Sequence, residues 1–286
     1  MNSSILIMGE SKVMLDGKLV SEEEKKKYCF LILKAVAEFC DKNNIRYYLA
    51  YGTLIGAIRH KGFIPWDDDI DIIIPRQDYI RFINLWLCKD ESVFPHYKLI
   101  SPYSNPKSLY KRLKVADNRT ILYEQNQSKP GIFLDIFPSD GFKSMDTWKT
   151  DKKLVNLLTN AYVLLYSRFT EGGGVIKEML RYLFLLLSSF FDNTKILKKI
   201  DEILQSKFNF DGSPLVACTD AGYGNKELCR REWFDNRIKV EFEGDMFFAP
   251  SGYHEFLTQI YADYMTLPPI DKRVSHSYEM FWMRNV

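Results

Sequence analysis

Hydrophobic positions along the first half of the chain change period several times, and each change marks an element. Leu31, Ala35 and Phe39, widened by Ile32 and Val36, recur at helical spacing. Ser21, with Glu24 three residues on, makes a capping box that opens this helix, which fades between Asp41 and Asn44. Arg46 to Ala50 reads as a short strand broken by Gly52-Thr53, and Leu54 to His60 as a short helix. Gly62 and Pro65 end that helix, and a strand follows over roughly Asp69 to Ile74, stopped by Pro75. Asp78 to Leu87 is predicted helical, and the region from Tyr97 to Lys114 turns and short strands. After the turn signal Lys129-Pro130-Gly131, Ile132 to Phe137 is a strand expected to end before Pro138. Residues 146–206 are mostly helical with a break at Gly172-Gly173-Gly174, and the alternation in Val240 to Glu243 predicts a half-buried strand. No repeat and no low-complexity linker divides the chain, so the pattern predicts one α/β core with helical elaboration.

One segment departs from ordinary strand chemistry. Asp67-Asp68-Asp69-Ile70-Asp71 places four carboxylates against the apolar run Ile72-Ile73-Ile74. In extended chain Asp67, Asp69 and Asp71 share one face, and Asp68 takes the other with Ile70, Ile72 and Ile74. Negative charge crowded at the edge of a core is costly unless a positive partner meets it. A hard divalent cation with oxygen ligands, Mg²⁺ or in its place Mn²⁺, fits that need and commonly bridges carboxylates to phosphates. Asp135, within the apolar strand Ile132 to Phe137, is the third acid that a neighbouring strand would bring beside the pair. Asp68 is expected to orient backbone or a basic residue instead.

Composition narrows the function classes. The chain has 286 residues, with 46% hydrophobic and 27% charged, ordinary for a globular protein. A net charge of +2 and the lack of a basic tail make nucleic acid an unexpected partner. Five scattered cysteines without a CxxC are expected to be thiols in a reducing compartment, and the N-terminus does not read as a signal peptide. Leu180 to Phe191 is strongly apolar but too short to span a membrane, and Arg181 interrupts it; it reads as a core helix or as an interfacial element aided by Arg181 and Lys195. The expected location is cytoplasmic, with peripheral contact at the inner face of the membrane.

The remaining candidates suit phosphate. A glycine at the strand-to-helix junction, Gly52, permits close approach, and Thr53 with the following amides can hold a phosphate. Arg59, His60 and Lys61 add positive charge. The P-loop and Rossmann fingerprints are absent, and no HExxH supports zinc hydrolysis. Metal-assisted phosphoryl or nucleotidyl transfer is the chemistry these residues fit, with a glycan-binding module as the non-enzymatic alternative.

The stretch Tyr48-Leu49-Ala50-Tyr51-Gly52-Thr53-Leu54-Ile55-Gly56-Ala57-Ile58-Arg59-His60, followed by Gly62-Phe63-Ile64-Pro65-Trp66-Asp67-Asp68-Asp69-Ile70-Asp71, resembles the LicD family. These phosphotransferases include lipopolysaccharide and teichoic-acid cholinephosphotransferases and are related to fukutin-type sugar phosphotransferases. Leu134-Asp135-Ile136-Phe137-Pro138 resembles the second acidic motif, and Phe247 to Pro250, Tyr261 to Met265 and Pro268-Pro269 resemble the C-terminal region. The resemblance spans roughly residues 25–280. It implies a nucleotidyltransferase-like mixed sheet core, a catalytic domain over 25–286 after an N-terminal extension over 1–24, and a helical insertion near 146–206. It implies catalytic Asp69, Asp71 and Asp135, metal binding by these with Asp67, and a donor-phosphate loop at Gly52 and Thr53. Arg59, Lys61, Trp66, Lys272, Arg273 and His276 are further candidates for donor or acceptor contact. The implied reaction moves phosphocholine from CDP-choline to a glycan hydroxyl or a lipid-linked precursor, with ribitol phosphate or glycerol phosphate as alternative cargoes. Trp66, Tyr123, Trp233 and Tyr253 are candidate aromatic faces for a choline group. The family often has glycine where this chain has Ala262.

Overall fold

The computed structural model describes residues 5–8, 11–101, 104, 112–124, 127–153, 209–218, 221–273 and 280–283. The fold is mixed α/β, a curled mixed sheet with helices against it, consistent with a nucleotidyltransferase-like architecture. Helix α1 covers Glu22–Lys42. Both arms of its capping box form: Ser21 Oγ accepts the Glu24 N–H at 3.1 Å and the Glu24 carboxylate accepts the Ser21 N–H at 3.0 Å. Glu22, Glu23 and Glu24 in the first turn complement the helix dipole. Its buried stripe of Ile32, Leu33, Val36 and Cys40 packs toward the central sheet. Ser21→Ala is expected to lower stability by about 1 kcal/mol, read as a shift of the urea midpoint. An unchanged midpoint would show that the cap contributes nothing.

The central sheet is built around one long strand. Chain order gives β1 Ile5–Met8, β2 Ser11–Leu19, β3 Tyr48–Leu49, β4 Asp71–Pro75, β5 Tyr97–Ile100, β6 Leu113–Asp117, β7 Thr120–Glu124, β8 Gln127–Pro130 and β9 Phe133–Phe142. Then come β10 Leu215–Cys218, β11 Cys229–Arg230, β12 Arg237–Phe242, β13 Asp245–Pro250 and β14 Met280–Met283. On one side β9 pairs in parallel with β4; on the other, antiparallel β6 lies beside its first half and β10 beside its end. β9 runs through Pro138 rather than stopping before it. Pairing with β6 ends at Ile136 and pairing with β10 starts at Ser139, so the missing proline N–H falls in the gap between them. β4 carries Ile72, Ile73 and Ile74 buried on both faces, as a strand inside a sheet requires.

Three expected boundaries move. Strand β4 begins at Asp71 and includes Pro75, so Asp67 to Ile70 precede it. Helix α2, Tyr51–His60, begins before Gly52-Thr53, which therefore lie in its first turn and do not break the chain. The strand of Arg46 to Ala50 shortens to Tyr48–Leu49. Helix α3, Arg76–Cys88, starts directly after β4. Arg76 at its start reaches the end of β9, where its Nε and Nη2 donate to the two oxygens of fully buried Asp140 at 2.8 Å each. Strands β12 and β13 form a hairpin whose turn, Glu243 at φ 52° and Gly244 at φ 80°, uses two left-handed residues. Its Glu243 N–H donates to Lys61 O at 2.8 Å and its carboxylate accepts the Phe63 N–H at 3.0 Å, bracing the loop that leads to the acids. Helix α4, Tyr253–Tyr261, closes the described core. Strand β14 joins β2 and β7 in a second sheet, so residues before 25 pair with the body of the fold. Among the described residues no helix is long and apolar enough to cross a membrane; Leu180 to Phe191 and most of 146–206 lie outside them.

Candidate active site

The acids converge where β4 and β9 begin to pair. Asp71 stands opposite Asp135 in parallel register, and the Asp135 N–H donates to Ile70 O at 2.9 Å. Thr53, buried in α2, accepts the Asp71 N–H on its hydroxyl at 2.9 Å, so this side chain fixes the start of the acidic strand. The Ala50 N–H closes the junction on Asp71 O at 3.0 Å. Gly52 lies under Asp67: a Cβ at Gly52 would stand 2.5 Å from Asp67 Oδ2, so only glycine lets that carboxylate approach. The residue before α2, Ala50, makes no side-chain cap bond, and Asp67 approaches the positive end of the helix dipole. Tyr51, first in α2, has φ 46°, a strained value for an aromatic residue. Its hydroxyl holds it there by donating to Glu227 Oε2 at 2.9 Å.

Charge is unevenly balanced across this cluster. Burial first, then the charges of Asp69 and Asp135, push the Asp71 carboxyl well above the ordinary range, Asp67 adds to this and Arg112 opposes it. Lys114, opposite Asp135 on β6, bonds Asp135 Oδ1 at 2.6 Å, and Arg112 lies 3.9 Å from Oδ2. Burial pulls the Lys114 ammonium down while Asp135 holds it up, and the ammonium sits 3.5 Å from the centroid of the Phe133 ring. A cavity of about 250 Å³ opens here, lined by Asp69, Asp135, Arg112, Lys114, Lys25 and Asp68 among others. Asp68 lines this cavity beside Asp69, and Lys25 bonds it at 3.2 Å. Among the described residues no group of three or more acidic, thiol or imidazole side chains is placed so as to hold a metal ion. Asp67, Asp69, Asp71 and Asp135 are nevertheless an all-oxygen set whose mutual repulsion a divalent cation would relieve.

A basic group gathers near Trp66, the residue before Asp67. The Arg273 guanidinium lies over the Trp66 ring at 4.9 Å and donates to Pro268 O at 2.9 Å. Arg59 donates to Tyr264 O at 2.6 Å and to His60 Nε2 at 2.9 Å. Burial, then the positive charge of Arg273, lowers the Arg59 guanidinium from its usual range. Among the described residues neither arginine pairs with a carboxylate, an arrangement suited to an anion. Lys61 is exposed and ends α2 at φ 61°, while Lys272 is exposed in the 3₁₀ turn Ile270–Lys272. His276 and the Tyr123 side chain lie outside the described residues.

Sequence reasoning missed several groups. Arg112, Lys114 and Glu227 stand in no motif with the acids, and only strand register or chain crossing brings them close. Aromatic rings outside the expected set are also coupled to the acids. Tyr223 and Tyr261 feel the charge of Asp71, and Tyr51 bridges Phe137 and Tyr223. Trp66 already has a face covered by Arg273, and Trp233 is packed against Gly252 at the start of α4. Ala262 has φ 62°, which explains physically why glycine suits that position better.

Residues 44–162 match the family model described as LicD/FKTN/FKRP, nucleotidyltransferase domain. Lipopolysaccharide cholinephosphotransferase LicD of Haemophilus influenzae is 32% identical over 276 residues, covering 91% of this chain and 97% of that protein. An uncharacterised protein of Rickettsia typhi is 29% identical over 134 residues, 46% of this chain and 40% of its own. Ribitol 5-phosphate transferase FKRP of Mus musculus is 25% identical over 124 residues, 42% of this chain and 23% of its own. The match to the Haemophilus protein runs through both acidic segments and nearly the whole of both chains, and on that ground this chain belongs to the LicD family of nucleotidyltransferase-fold phosphotransferases.

Proposed function

We propose that this protein transfers phosphocholine from CDP-choline to a hydroxyl of a bacterial cell-surface glycan or its lipid-linked precursor, releasing CMP. The observation that carries this is the register of Asp71 against Asp135 inside a repelling acid cluster, with Arg273 over Trp66, the residue before Asp67, and neither it nor Arg59 paired with a carboxylate among the described residues. Acids suited to a cation beside arginines suited to an anion are what a diphosphate donor requires. Mg²⁺, or Mn²⁺ in its place, held by Asp67, Asp69, Asp71 and Asp135 would neutralise the diphosphate oxygens as charge moves to the leaving group. In the proposed step the acceptor oxygen bonds to the phosphorus nearest choline, the bond from that phosphorus to the CMP oxygen breaks, and CMP keeps the electron pair. A carboxylate of the cluster accepts the hydroxyl proton. Arg59 and Arg273 orient the CMP side, and Gly52 keeps Asp67 close to the reacting diphosphate.

The choice of cargo follows the Haemophilus relative, whose name is that of a cholinephosphotransferase and which matches along nearly its whole length. Ribitol phosphate is the second reading, favoured by the mouse relative over a shorter span. A panel of CDP-choline, CDP-ribitol, CDP-glycerol and nucleoside triphosphates, with a glycan acceptor and Mg²⁺, tests the proposal by product mass. The expected result is CMP release with phosphocholine added to the acceptor from CDP-choline. Transfer from CDP-ribitol alone would replace the cargo, and pyrophosphate release with nucleotide addition would replace the reaction.

A further inference from the structure

A tyrosine wall extends from the acid cluster, and no step above uses it. Phe137 lies two residues along β9 from Asp135 and shares its face. Tyr51, directly before Gly52, meets Phe137 edge-on at 5.1 Å and stacks on Tyr223 at 5.4 Å. Tyr223 then meets Tyr261 at 5.1 Å with the planes at 71°, and their hydroxyls are bonded to each other. The wall runs from inside to outside: Tyr51 and Phe137 are buried, whereas Tyr223 is 39% exposed.

A buried carboxylate backs this wall. Buried Glu227 holds the Tyr51 hydroxyl, and the charges of Asp71 and Glu227 push both the Tyr223 and Tyr261 phenols upward in addition to burial. The cations nearest in the chain do not cover its tyrosines. Lys226 donates to Ile260 O at 3.0 Å, Lys152 lies over Trp148 and reaches Gly224 O at 3.4 Å, and Arg112 covers Phe137 at 4.2 Å. Among the described residues no cation lies over the rings of Tyr51, Tyr223 or Tyr261. Aromatic surface in a negative field repels phosphate and attracts a weakly hydrated cation. A polyol would instead want hydroxyl partners, and one of the two phenolic protons at the open end is already used within the pair.

We propose that Tyr223 and Tyr261, backed by Tyr51 and Glu227, form the subsite for the quaternary ammonium of the transferred group and so select a cationic cargo over an uncharged polyol phosphate. This deepens the phosphocholine reading and rests on it. Calorimetric titration of the full chain in Mg²⁺ with phosphocholine and with glycerol phosphate reads the subsite without turnover. Phosphocholine is expected to bind about tenfold tighter than glycerol phosphate. Tyr223→Leu and Tyr261→Leu are each expected to remove most of that difference and to leave glycerol phosphate binding unchanged. Tyr223→Phe and Tyr261→Phe, which keep the rings, are expected to retain it. Tyr223 is open to solvent, so its leucine variant decides the matter even if the Tyr261 variant does not fold. Equal binding of the two ligands by the unaltered protein, equal loss of both in the leucine variants, or phenylalanine as damaging as leucine would each overturn the subsite. The donor panel judges the reaction separately: a binding contrast without turnover from CDP-choline keeps the subsite and removes the reaction, and turnover without the contrast does the reverse.

Discussion

Asp71→Asn is expected to lower phosphotransfer by about a hundredfold to a thousandfold while raising the melting temperature of the metal-free protein. Loss of activity follows from removing charge at the centre of the acid cluster, where Asp71 faces Asp135. The gain in stability follows from the cost of that same charge. Burial and the nearby carboxylates of Asp69, Asp135 and Asp67 raise the proton affinity of Asp71 in the folded chain, against which Arg112 offers the one favourable charge among the named causes. A carboxyl whose folded pKa lies above its unfolded value destabilises the fold as it ionises. That penalty is absent below the unfolded pKa and grows as pH rises toward the folded one. The advantage of the asparagine variant in thermal unfolding should therefore widen as pH rises from the ordinary carboxylate range. Asparagine is nearly isosteric, and the strand keeps its backbone bonds to Thr53 and Ala50. Added Mg²⁺ should raise the melting temperature of the unaltered protein and do little for the variant. Full turnover by Asp71→Asn, or a variant less stable than the parent at neutral pH without metal, would contradict this account.

Arg76→Ala is expected to cost about 3–5 kcal/mol of folding stability. The arginine is 5% exposed and meets Asp140, which is 0% exposed, through two parallel hydrogen bonds. Removing it strands a carboxylate in the core, a far larger penalty than the net worth of the pair. Replacing both partners, as Arg76→Met with Asp140→Leu, should recover much of the loss because no buried charge then remains. Guanidinium unfolding of the single and double variants gives the comparison. A single variant within about 1 kcal/mol of the parent would mean that water reaches Asp140 in its place. The pair also matters for chemistry. It ties the start of α3, directly after β4, to the far end of β9, and these two strands carry Asp71 and Asp135.

How far the sequence reached is clearest at single elements. The capping box at Ser21 and Glu24 forms as read, because a cap depends on residues three apart and on nothing distant. Asp68 meets a basic residue as expected, Lys25, although no pattern names the lysine; Asp67 to Ile70 precede β4, and Asp68 and Asp69 line one cavity, so strand alternation does not separate them. The strand of Asp135 was legible from its apolar run, but its length was not. Pro138 is tolerated because two different neighbours leave a gap at that point. Gly52 and Thr53 were readable as special, while their place in the first turn of α2, with Thr53 holding the Asp71 backbone, depends on how helix and strand pack.

Taken alone, the sequence determined the α/β class, the acidic segments and the helix that caps itself, since each follows from short-range periodicity and steric preference. Tertiary structure alone decided that Asp71 faces Asp135, that Lys114 and Arg112 oppose them, that Arg59 meets Arg273, and that tyrosines from three distant segments share a wall. Register, burial and Coulomb interaction depend on separation in space, and the order of residues along a chain does not specify that separation until the sheet has closed.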